Sequence, residues 1–163
     1  MRSWIKPYVT SALIAGALDI TYAIVFSYFR AGVRPFRILH SVASGLLGRT
    51  AYDGGAPVAA LGLALHFLIA FIITAIYFAV ASRQAWLTRR PLVTGALYGL
   101  VVYGVMNLVV IPLSAIGQRP HPATITLVTG ILVHMFFIGV PIGFGARRAF
   151  GDVAGRVGAV RTV

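Results

Sequence analysis

Apolar residues gather into four long runs, from about Tyr8 to Phe29, Pro57 to Ala81, Pro91 to Ile116 and Ala123 to Ala146. Each run is long enough for a helix to cross a hydrocarbon layer of roughly 30 Å. The dyad alternation of a barrel strand is absent. The pattern therefore predicts an all-α integral membrane four-helix bundle. Pro57 and Pro91 fall where a first-turn proline is tolerated. Arg30, Arg83 and the pair Arg147 and Arg148 are expected to stop the first, second and fourth helices. Trp4, Tyr8, Tyr28 and Trp86 fall at the depth of a membrane interface. The first run is too long for the apolar part of a leader and lacks an Ala-x-Ala exit, so it reads as a span. Residues 1–150 read as one domain and 151–163 as a short basic cytoplasmic tail.

Between the first two runs the period changes. Phe36, Leu39, Val42, Ala43, Leu46 and Leu47 recur on one helical face, with Arg37, Ser41 and Ser44 on the other. This predicts an amphipathic helix over residues 36–49, begun by Pro35 and ended by the turn Asp53-Gly54-Gly55. Such a helix either lies flat in the interface, joining two spans, or covers a central cavity as a lid.

Composition agrees with lipid. Of 163 residues, 59% are apolar and 10% charged, and mean hydropathy is +0.90. So few charges cannot cover a soluble fold of this size. An ordinary cytosolic enzyme and a disordered chain are excluded. The 14 Lys and Arg against 3 acids, net +11, would suggest nucleic acid in a soluble protein. Here no groove-reading motif or basic stripe exists, and nucleic acid is not a partner. The basic residues sit between the runs, where they set topology and meet anionic head groups. Arg34, Arg37 and Arg49 are the interfacial, lipid-facing set. The side of both termini carries nine Lys and Arg and the other side five, which places both termini in the cytoplasm. Absence of cysteine excludes disulfides, thiolate metal sites and covalent haem attachment.

Small residues show where helices approach. Ala12-x3-Gly16 and Gly95-x3-Gly99 permit close backbone contact, and Gly139, Gly143 and Gly145 beside Pro141 are expected to loosen the end of the fourth span. The segments around Gly16 and Gly95, and around Gly62 and Gly130, resemble one another, as a parallel duplication would produce. Small-residue faces also suit a homo-oligomer or a larger membrane complex.

Polar groups inside spans carry the functional signal, because each is costly in lipid. Asp19, His66 and His134 lie roughly 14–16 Å from their respective surfaces at 1.5 Å per residue, close to the midplane. Asn107, Tyr22 and Tyr77 form a secondary polar set. Asp19 paired with His66 or His134 would make a charge-assisted bond and a proton relay. Alternatively, His66 and His134 could be metal ligands, holding one b-type haem in the space left by Gly62 and Gly130, with Phe67, Phe137 and Tyr77 around it and Arg34 or Arg37 at its propionates. Each histidine could also be structural, satisfied by a carbonyl. No Glu exists, and no hydrolase elbow, zincin or phosphate-loop motif is present. Ser44 and Ser114 have no visible base, and His40 and His121 read as solvated loop residues. Asp19 and Asp53 lie at different depths, which excludes a carboxylate pair. A non-enzymatic transporter-like bundle or accessory subunit is expected.

His66 and Tyr77 in span two, Gly95-x3-Gly99 and Ile111-Pro112-Leu113-Ser114 in span three, and His134 followed by Arg147-Arg148 in span four resemble the YagU-like group of small bacterial inner-membrane proteins. The resemblance covers about the last two thirds of the chain. It implies a multi-pass protein of that membrane, loosely tied to acid tolerance, and carries no catalytic residue. A reporter active only in the cytoplasm should be active when fused to either terminus. An active N-terminal fusion with a silent C-terminal one would refute four spans.

Overall fold

The computed structural model describes residues 3–117 and 123–160, with side chains to 151. It is all-α. Four helices are long and apolar enough to cross a membrane: Ile5–Ala31, Gly55–Ala81, Pro91–Leu113 and Thr124–Gly151. In chain order, α1 (Ile5–Ala31) is span one. Next come α2 (Pro35–Leu47) and a 3-10 turn (Gly48–Asp53). Span two is α3 (Gly55–Ala81), and α4 (Trp86–Arg89) is a short connector. Span three is α5 (Pro91–Val105), a π segment (Met106–Val110) and α6 (Ile111–Leu113). Span four is α7 (Thr124–Val133), a π segment (His134–Gly139) and the start of α8 (Val140–Val160). The start of α1 and the end of span four lie on one face of the bundle, the terminal side; α2 lies on the other.

Spans three and four meet backbone to backbone. A Cβ on Gly99 would collide with the His134 carbonyl, one on Gly139 with that of Gly95, and one on Gly143 with that of Pro91. Gly145 sits against Ser11 Oγ of span one, where a Cβ would come to 2.6 Å. The glycines expected to loosen the fourth span instead clamp it. Lipid is as apolar as leucine, so helices associate where small residues let main chains approach. The helix also runs on past Arg147 and Arg148 as α8, rather than stopping there: nothing in Ala149-Phe150-Gly151 opposes further turns strongly enough to end it.

The two π segments share a cause. Each ends two residues before a proline, Pro112 or Pro141. Proline has no N–H and its ring presses on the carbonyl one turn back. The helix widens, and the N–H of Ile111 bonds the carbonyl of Met106, as that of Val140 bonds Met135, five residues back.

On the terminal side Tyr77, Phe78, Leu87, Ile138 and Ile142 pack into one buried cluster. Spans two and three barely touch there through backbone; tyrosines join them. Tyr98 donates its hydroxyl to the Ile73 carbonyl at 2.6 Å and Tyr77 to Thr94 Oγ1 at 3.0 Å. Tyr8, expected at the interface, is half-buried and donates to the Phe71 carbonyl at 3.1 Å.

The packed face of α2 coincides only in part with its apolar stripe. His40, Ala43 and Ser44 are buried, while Phe36 and Leu46 are 56% and 61% exposed. The Leu39 carbonyl lies over Gly62 of span two. The Ala115 N–H donates to the Gly45 carbonyl at 2.9 Å, tying α2 to the end of span three. His40, expected in a solvated loop, is buried and its Nε2–H bonds the Gly55 carbonyl at 2.8 Å. Large apolar side chains lose nothing by facing lipid, so the small and polar face turns inward. His121 lies outside the described residues.

Gly99→Val and Gly139→Val should each lower the thermal stability of the purified chain by about 1–3 kcal/mol or more through overpacking. Gly104, with open space where its Cβ would be, is the control: Gly104→Ala should be neutral or gain up to about 1 kcal/mol from helix propensity. Equal loss at all three would refute the seam.

Candidate functional site

Above the buried cluster the bundle holds a half-open cavity of about 490 Å³, on the side of α2. Every span contributes. Asp19 and Tyr22 come from span one, His66 from span two, Tyr103 and Asn107 from span three, and His134 from span four. Ser41, Val42 and Gly45 of α2 and Ser114 and Ile116 close the top. Ala15, Ala70, Ile73 and Ile138 form the floor. The amphipathic helix is thus a wall of the cavity, which the lid alternative anticipates.

Local structure sets each side chain. Gly16 accepts close contact from Phe67, where a Cβ would meet the ring at 2.8 Å. This closeness lets His66 Nε2–H reach across to the Gly16 carbonyl at 2.8 Å. His134 opens its π segment, and its Nδ1–H bonds the Gly130 carbonyl of its own helix at 2.9 Å. The Tyr103 ring stands edge-on to His134 at 5.1 Å. Asn107 is the second residue of the other π segment and donates Nδ2–H to the Tyr103 carbonyl at 2.9 Å. A carbonyl only accepts, so each nitrogen facing one carries the hydrogen. In a neutral ring the second nitrogen is then a bare acceptor.

Asp19, His66 and His134 share the cavity but do not form the expected relay. Neither histidine bonds Asp19, and among the described residues no three His, Asp or Glu side chains gather as a metal site would require. Both histidines spend a hydrogen on a carbonyl instead. Tyr77 is not at the site: it lies in the terminal-side cluster. Arg34, Arg37 and Arg49 are exposed and do not line the cavity; the Arg37 guanidinium stacks on Tyr52 at 4.8 Å. Asp53 is exposed, away from Asp19.

A bis-histidine haem does not fit these residues. The clearance expected beside Gly62 is filled by the α2 backbone, and that beside Gly130 by Tyr103, whose Cε2 would lie 3.0 Å from a Cβ there. Phe137 packs on Tyr22 and Phe67 on His66.

The sequence reading overlooks Tyr103 and does not place Ser41 or Ser114 at the cavity. Tyr103 is one turn before Asn107, a spacing that places both on one face. Tyr22 contributes something else. Its hydroxyl is, among the described residues, the one buried side-chain polar atom lacking a hydrogen-bond partner. Leaving such a group unpaired costs about 1–3 kcal/mol, which a bound partner would recover.

Comparison of the chain with protein-family models, curated proteins and solved structures finds no match to any. The chain is a small all-helical polytopic membrane protein.

The native chain contains no cysteine, so single thiols report the cavity cleanly. Ile69→Cys, which lines it and is partly exposed, should react with a small maleimide in the folded protein. Ile142→Cys, fully buried on the terminal side, should not. Equal protection of both would mean the cavity is closed to solutes.

Proposed function

We propose that this chain is a non-enzymatic solute-handling protein of a bacterial inner membrane, with both termini cytoplasmic. The cavity takes a small ligand from the α2 side, and Asp19 exchanges a proton for it. The observation that carries this reading is the asymmetry of packing. Polar side chains from all four spans line one cavity on the α2 side, while the terminal side is filled by Phe78, Ile138 and Ile142. An intramembrane carboxylate facing a cavity marks a substrate or ion path. The titratable groups around the same cavity are Tyr22 on its own helix, His66, Tyr103 and His134.

A packed terminal side supports a carrier rather than a pore. Release on that side requires the Tyr77–Thr94 and Tyr98–Ile73 bonds to part. Such rearrangements belong to microsecond and slower motion, so turnover is expected and steady conductance is not.

Purified protein in liposomes should collapse an imposed pH gradient faster than empty liposomes, without single-channel currents. Asp19→Asn should remove that increment. Flux equal to that of empty liposomes in both proteins would leave an accessory-subunit role, with the polar groups only packing the bundle.

A further inference from the structure

From the donor and acceptor inventory of the cavity, we infer that its ligand is a protonated primary or secondary amine with an apolar body. The inference rests on the solute-handling reading above and names the class of solute.

The polar groups have one property in common. His66 and His134 each spend a ring N–H on a backbone carbonyl. Asn107 spends an amide N–H the same way. Wherever such a ring is neutral its second nitrogen is an acceptor, and Asn107 keeps its amide oxygen together with one further N–H. Asp19 adds a carboxylate that has no hydrogen-bond or ion-pair partner among the described residues, and no described Lys or Arg lines the cavity. The Tyr22 hydroxyl, buried and unpartnered, accepts as readily as it donates.

An acceptor-rich cavity leaves its lone pairs unsatisfied until a ligand brings hydrogens. A carboxylate within a membrane span is also stabilised by a positive charge beside it. A primary or secondary ammonium supplies two or three N–H groups and that charge together. An anion or a carbonyl compound brings neither, and a quaternary ammonium brings charge without hydrogens.

The rest of the cavity sets the body. Ile69, Val102 and Ile138 give it apolar walls, unsuited to a hydrated metal ion. Its volume of about 490 Å³ lies within the usual size of small-ligand pockets, roughly 300–1,000 Å³. The edge of Tyr103 beside His134 leaves an aromatic surface for an organic group.

The test uses the full chain in lipid nanodiscs and three probes of similar size: phenethylammonium, 2-phenylethanol and 3-phenylpropionate. Binding is read by calorimetry. Phenethylammonium should bind saturably and at least about tenfold more tightly than the alcohol, as a charge-assisted hydrogen bond predicts. The carboxylate should not bind. Asp19→Asn should bring the amine to the level of the alcohol, and Asp19→Glu should retain part of the preference. Should Asp19→Asn fail to fold, the ranking of the three probes on the native chain decides alone. Alcohol or carboxylate binding as tight as that of the amine overturns the amine assignment and keeps the cavity as a ligand site. Absence of amine binding, with Ile69→Cys still reactive, also overturns the assignment alone. Absence of all binding together with an unreactive Ile69→Cys overturns both.

Discussion

Missing side chains hold this bundle together. Between spans three and four the main chains touch at Gly95, Gly99, Gly139 and Gly143, and each contact would be a collision if a Cβ were present. In lipid there is no hydrophobic gain from pairing one leucine-covered helix with another, so close backbone approach supplies the attraction through dispersion. The seam also fixes the site. The carbonyl that Gly99 receives belongs to His134, so the backbone of a cavity residue is held by the contact that clamps the helices.

Two prolines then account for the change of character along the bundle axis. On the terminal side of Pro141, α8 is regular and tightly packed. Toward α2, the π segments widen both helices and re-aim the side chains that begin them. Asn107 stands in one π segment and His134 opens the other. Widened turns of this kind recur at functional sites because they rotate the residues after them relative to those before. Spans one and four pack closely along the π segment and α8 but barely meet at α7, and the space between becomes cavity. α2 closes it by laying its own backbone on Gly62 and tying Gly45 to Ala115.

The fold was legible in the sequence because length and hydropathy suffice for a span: lipid forces every backbone group in it to bond within the helix. Depth was legible too, since 1.5 Å per residue is fixed, and Asp19, His66 and His134 do line one cavity. Direction was harder to read. The apolar stripe of α2 left open whether the helix lies flat or covers a cavity, and only part of it packs: Phe36 and Leu46 face outward while Ala43 and Ser44 are buried. Tyr77 shared the polar character of the set yet lies below the floor. The expected Asp–His bond failed because a backbone carbonyl lay nearer to each histidine, and no sequence pattern reports which carbonyls a helix crossing brings into reach.

That last point bears on chemistry more than on stability. A histidine read from sequence is a donor, an acceptor or a cation, and a pattern of residue types cannot choose. The choice is made by what the other ring nitrogen meets. At Gly16 a helix crossing made close by a missing side chain presents a carbonyl to His66; at Gly130 the helix presents its own to His134. Asn107 is fixed in the same way by Tyr103. Both histidines and one N–H of Asn107 are thus held by backbone carbonyls around the cavity that Asp19 lines, without any of the three bonding Asp19. What His66 can offer a ligand therefore depends on backbone geometry, and a substitution at Gly16 that moved its carbonyl would alter it while leaving every other lining residue in place.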